Sequence, residues 1–250
     1  MSLKSIYELT KFRLTLSVVF SSFISYMLGA KEFDIKILML LLFGGFFVVA
    51  ASNIYNQIIE KDLDALMIRT RNRPLPTNRI SVNTALIIAI LFTIIGLALL
   101  YVIYPIVALL AAVSIFLYAS VYTPLKLITP LSVFVGAIPG ALPFMLGWVA
   151  ATGEVGIEAV ILFLMQFFWQ FPHFWSIGWM QNKDYENAGF KMLPTGKKDK
   201  STTTQIIFYS IWAVLMSIIP AFNLTGDLFL SVYGLIFVLI IGLVLIYYAV

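Results

Sequence analysis

From Phe12 onward the sequence is a succession of apolar runs, each about 20 residues long and matched to the roughly 30 Å hydrocarbon core of a bilayer. The apolar residues are continuous rather than alternating, so the runs read as helices that satisfy their backbone hydrogen bonds internally. The expected fold is an all-α, polytopic transmembrane helical bundle forming one domain over residues 1–250. Eight spans are predicted, at 12–30, 37–59, 82–101, 104–122, 129–150, 157–180, 204–222 and 228–250. With 61% of residues hydrophobic and 11% charged, an ordinary soluble domain is excluded.

The connections place charge unevenly. With the N-terminus on the cytoplasmic side, all but Lys31 and Lys36 of the 16 lysines and arginines fall on that same side. This asymmetry is the positive-inside signature, and it supports both the orientation and the helix count. It accounts for the net charge of +4 without nucleic acid, since the basic residues form no patch interleaved with aromatics. The polar start, Met1 to Lys11, carries Glu8 and does not read as a cleavable signal peptide, so the first span is expected to direct insertion. The sequence has no cysteine, which removes disulfides, iron–sulfur clusters and thiolate zinc sites from consideration.

Two connections are long, Glu60–Ser81 and Gln181–Thr203, and the orientation puts both on the cytoplasmic face. The first follows Asn53 and Asn56 with Glu60, Asp62 and Asp64, then Arg69 and Arg73. Only 12 acidic residues exist in the chain, and three of them lie within these five positions. Charge at the end of a membrane helix is costly and points to function. If the second span continues helically, Asn56, Glu60 and Asp64 share one face at intervals of four, with Asn53 nearby and Asp62 turned elsewhere. Three oxygen donors on one stripe suit magnesium, and Arg69 and Arg73 suit the planar, bidentate recognition of phosphate oxygens. The competing reading is a solvated helix end whose carboxylates are balanced by arginines.

The second cluster is sparser. Gln166, Gln170 and His173 lie on one face of the sixth span, and Asp184 falls on its continuation. His173 is the single histidine. It reads either as a hydrogen-bonded structural group or as an imidazole free to ligate iron or accept a proton. Lys126, in the short turn Tyr122–Lys126, is available to a phosphate, and Lys183 stands beside Asp184. The stretch Gly136–Pro143 is expected to bend the fifth span and allow close packing.

Four strings carry a family resemblance: LTKFRLTLSVVFSS, NQIIEKDLDALMIRTRNRPLP, YTPLKLITPLSVFVGAIPGALPFMLGW and PHFWSIGWMQNKDYENAGFKMLP. Together they span most of residues 8–195, and the chain resembles the UbiA-type membrane prenyltransferases, in particular their haem-farnesylating branch. The resemblance implies magnesium and a prenyl diphosphate at Asn56, Glu60 and Asp64, with Arg69 and Arg73 as supports. It implies further substrate contacts at Asn53, Asp62, Lys126, His173, Lys183 and Asp184. The second acidic motif of the wider family is reduced here to Asp184, and His173 becomes a candidate haem contact.

The implied reaction transfers farnesyl from farnesyl diphosphate to a vinyl group of haem B in a bacterial-type inner membrane. A downstream haem-modifying enzyme or a terminal-oxidase assembly is the implied partner, and nucleic acid is not. Members of the family usually have nine helices and eight can be drawn here, so a C-terminally short domain is expected. The alternatives are an aromatic quinone precursor as acceptor, an inactive relative, and a transporter. The last is disfavoured because both clusters lie at one face rather than at the midplane.

Overall fold

A computed structural model describes residues 2–249. It is built from α1 (Leu3–Leu9), α2 (Phe12–Gly29), α3 (Ile35–Ile59), α4 (Lys61–Leu66) and α5 (Val82–Ile103), followed by α6 (Pro105–Leu125) and α7 (Ser132–Thr152). The chain continues through α8 (Ile157–Met180), α9 (Asn182–Asn187), α10 (Lys200–Phe222) and α11 (Val232–Ala249). No strand occurs among the described residues. Among the described residues, seven helices, α2, α3, α5, α6, α7, α8 and α10, are long and apolar enough to cross a membrane, and α11 is a shorter apolar helix. The chain is an integral, multi-pass membrane protein.

Each of the eight predicted spans has a helix; the sixth matches at both ends, the others have shifted ends, and the predicted end of the last, residue 250, lies outside the described residues. The last starts at Val232 rather than 228, because Thr225 Oγ1 donates to the Leu228 carbonyl and the Leu230 N–H donates to the Pro220 carbonyl, holding a turn there. Side-chain caps set other starts. Asp34 Oδ1 accepts the Lys36 and Ile37 N–H groups before α3, Ser81 Oγ accepts that of Thr84 in α5, and Asp199 Oδ1 accepts that of Thr202 in α10. The two long loops are less irregular than the sequence predicts, since they contain α4 and α9.

The packing centres on α7, which lies against α2, α6 and α8, while α3 packs on α5 and α8 on α10. Small residues permit these approaches, as expected where lipid supplies no hydrophobic drive between helices. A Cβ on Gly147 would collide with the Ser22 carbonyl oxygen of α2. At the α3–α5 crossing, a Cβ on Gly44 or Gly96 would meet Leu100 or Val48 at 2.8 and 2.9 Å. Despite Pro139 and Pro143, α7 is one helix, and the Gly140 carbonyl in the same stretch accepts Gln170 Nε2 from α8 at 3.1 Å.

Candidate active site

Glu60 has φ −94° and ψ 9°, at the step between α3 and α4, but the helical hydrogen bonds carry on through it. The Glu60 N–H donates to the Asn56 carbonyl at 2.9 Å, and the Asp64 N–H to the Glu60 carbonyl at 2.7 Å. The four-residue spacing is thereby kept. Asn56, Glu60 and Asp64 are all buried and all line one cavity of about 170 Å³ at the loop-rich end of the bundle.

The same cavity takes Arg69 and Arg73 from the loop after α4, Lys126 from the end of α6, and Lys11 from the joint between α1 and α2. Tyr118, Tyr122, Tyr185 and Phe190 supply aromatic walls. Six of the residues singled out in the sequence thus come together: Asn56, Glu60, Asp64, Arg69, Arg73 and Lys126. Asn53, Asp62, His173, Lys183 and Asp184 are not among the lining residues.

Within the cavity each oxygen donor faces its own cation. Lys11 Nζ donates to Asn56 Oδ1 at 3.1 Å. Arg73 Nη1 donates to both Asp64 oxygens at 2.9 and 2.8 Å. Lys126 forms an ion pair with Glu60 Oε1, which has no other hydrogen-bond partner. The Lys126 ammonium also lies over the rings of Tyr122 and Phe190, 4.9 and 4.8 Å from their centroids. Enclosure first, and then the Arg73 guanidinium, pull the Lys11 ammonium down to about 7. A site this rich in positive charge favours a polyanion.

The backbone is arranged to hold these groups. Lys11 has φ 45°, a left-handed turn that lets α2 leave α1 at an angle, and Thr15 Oγ1 ties the turn to the Thr10 carbonyl at 2.7 Å. Gln57 Nε2 reaches the Leu9 carbonyl at 2.6 Å and Asn53 Nδ2 reaches Thr15 Oγ1 at 3.2 Å, so these two α3 amides anchor α1 and α2. A π-helical turn, Leu117–Tyr122, interrupts α6. Such turns recur at functional sites. Here it closes with the Thr123 hydroxyl donating to the Tyr118 carbonyl at 2.8 Å, and the same hydroxyl accepts Asn56 Nδ2 at 3.2 Å. Tyr118 and Tyr122 both reach the cavity, 5.4 Å apart by ring centroids.

The remaining candidates lie elsewhere. Asp62 and Lys183 are exposed. Asp184 is buried and accepts the backbone N–H groups of Ile68 and Arg69. His173 is exposed on α8 and stacks on Trp169 at 4.5 Å; through Phe174 it neighbours Tyr122 on the cavity wall, each step 5.9 Å.

Two carboxylates and an amide oxygen form a hard, all-oxygen donor set, and Glu60 Oε1 has spare acceptor capacity; these residues fit a magnesium-like cation. No group of three or more His, Cys, Asp or Glu side chains placed to hold a metal occurs among the described residues, so substrate oxygens and water would complete any coordination. Nothing local in the sequence marks Lys11, Tyr118, Tyr122, Tyr185 or Phe190 as lining this cavity. The π-turn left no trace in hydropathy, and Lys11 resembled any basic residue flanking a span.

Fold and cavity together define a multi-pass membrane protein with a cation-lined, carboxylate-bearing site at one end of its bundle. The chain belongs to the UbiA prenyltransferase family, which it matches over residues 18–250. It is 57% identical to the protoheme IX farnesyltransferase of Flavobacterium psychrophilum, over 99% of this chain and 85% of that one. Against the protein of the same name from Christiangramia forsetii it is 58% identical, over 97% and 81%. A solved digeranylgeranylglyceryl phosphate synthase shares the fold with a TM-score of 0.81 at 24% identity, covering 99% of this chain and 86% of that one. A UbiA homologue from Archaeoglobus fulgidus, solved with GPP and Mg2+, has a TM-score of 0.74 at 19% identity, over 98% and 84%.

Proposed function

We propose that residues 1–250 act as one prenyltransferase domain that moves a farnesyl group from farnesyl diphosphate to a vinyl group of haem B, giving haem O. The observation that carries this reading is the cavity, where Lys11, Arg69, Arg73 and Lys126 converge on Asn56, Glu60 and Asp64 beneath aromatic walls. Its high identity to proteins named protoheme IX farnesyltransferase selects the acceptor and the donor. The active-site loops and the N-terminus are assigned to the cytoplasmic side of a bacterial-type inner membrane, on the distribution of lysine and arginine.

Asn56, Glu60 and Asp64 would hold magnesium, which when bound offsets the charge of the diphosphate. The protein's own part is electrostatic. As the C1–O bond of farnesyl diphosphate breaks, negative charge grows on the leaving oxygens, and preorganised cations placed there stabilise the transition state. Arg69 and Arg73 offer planar forks, and Lys11 and Lys126 offer point charges.

The allylic cation left behind is enclosed by Tyr118, Tyr122, Tyr185 and Phe190. Tyr122 and Phe190 already face the Lys126 ammonium, so their π-faces are turned toward positive charge. The haem vinyl group attacks the farnesyl cation, the charge moves to the porphyrin-side carbon, and water adds there with loss of a proton. No side-chain nucleophile is consumed. His173, stacked on Trp169 beside the cavity wall, is the candidate contact for the haem. The product would pass to a further haem-modifying enzyme or an oxidase assembly.

The test is reconstitution of the purified protein in liposomes with haem B, farnesyl diphosphate and magnesium, followed by mass spectrometry. Haem O formation supports the reading. Prenylation of an added 4-hydroxybenzoate in place of haem would assign the chain to quinone-precursor chemistry instead.

A further inference from the structure

Asp184 is the buried acid at the start of the second loop, and both of its oxygens are committed. Oδ1 accepts the Ile68 N–H and Oδ2 the Arg69 N–H, each at 3.2 Å, across more than a hundred residues of sequence. The side chain is 8% exposed. The two amides it satisfies sit just past α4, where no backbone carbonyl takes them. These part-buried N–H groups gain a charged acceptor, and hydrogen bonds to a carboxylate are stronger than those between neutral groups.

The segment so held is the one that carries the cavity's arginines. Thr70 Oγ1 next to it donates to the Asp64 carbonyl at 2.9 Å, and Arg69 and Arg73 extend into the cavity. The second loop grips the other wall as well. The Lys191 N–H donates to the Lys126 carbonyl at 2.7 Å, and Lys191 Nζ donates to the Ile128 carbonyl at 3.1 Å. Tyr185 and Phe190, between these two attachments, face the cavity.

We infer that the second loop is a strap, and that Asp184 is a positioning residue which fixes Arg69 and Arg73 for the diphosphate rather than a ligand of the metal. Asp184 does not line the cavity, and turning its carboxylate there would release the loop that carries both arginines. The kinetic consequence rests on the prenyl-diphosphate reading above; the structural one does not.

The test uses the full chain in nanodiscs, as wild type, Asp184→Asn and Asp184→Ala. Without any ligand, hydrogen–deuterium exchange of peptides covering residues 66–73 should quicken about tenfold in Asp184→Ala and less in Asp184→Asn, while peptides of α3 stay unchanged. In turnover assays the KM for farnesyl diphosphate should rise about tenfold, with the magnesium half-saturation level unaltered. Asparagine, which keeps one acceptor, should fall between wild type and alanine. Unchanged exchange at 66–73 overturns the strap. So does a large rise in the magnesium requirement at constant KM, which would make Asp184 a metal ligand. Quickened exchange in a protein that forms no haem O would keep the strap and discard the proposed reaction.

Discussion

The two long polar loops start from the same material and end in different work. Each follows a membrane helix, opens with a six-residue helix and carries acid beside base. In the first, Glu60 and Asp64 are buried against the cavity and matched to Lys126 and Arg73. In the second, Asp184 is equally buried but faces backbone amides of the first loop. Buried acids can therefore face cationic side chains in a cavity or backbone amides of a loop, and the difference lies in what their oxygens touch.

The largest expected effect comes from removing charge on the cavity side. Asp64→Asn and Glu60→Gln should each lower turnover at least about 100-fold in a haem O assay, the scale of losing one preorganised transition-state group. Chelating divalent metal should abolish turnover, and re-added magnesium should restore it. Ordinary rates after chelation would remove the case for those oxygens as metal ligands. A smaller effect is expected from Lys11→Gln, about tenfold in the KM for farnesyl diphosphate, because Lys11 touches the site through one contact to Asn56. An unchanged KM would reduce Lys11 to a membrane anchor. The smallest effects belong to Asp62→Asn and Lys183→Gln. Both side chains are exposed and outside the cavity, so kinetic constants should stay within about twofold of wild type. A large loss from either would mean that the cavity closes differently around substrate.

Much of this was legible in the residues. Apolar run length announces the helices, and the interval of four from Asn56 to Asp64 places its oxygens on one face because the helical hydrogen bonds persist through Glu60. Residues whose roles depend on distant contacts were not. Nothing local marks Lys11, whose position follows from a left-handed turn between two helices. Tyr118 and Tyr122 sit in an apolar span where tyrosine also serves at the lipid interface, and only the π-turn explains how Thr123 reaches Asn56. Asp184 was visible as an acid in register. Its partners lie 115 and 116 residues away and are backbone amides, which sequence does not distinguish from any others.

The most direct measurement is a structure of the full chain in lipid with magnesium and a non-hydrolysable farnesyl thiodiphosphate. The diphosphate should lie within hydrogen-bonding distance of Lys11, Arg73 and Lys126, with metal density on Asn56, Glu60 and Asp64, and Asp184 still bonded to the amides of Ile68 and Arg69. A diphosphate bound away from this cavity, or metal density on Asp184, would contradict this arrangement.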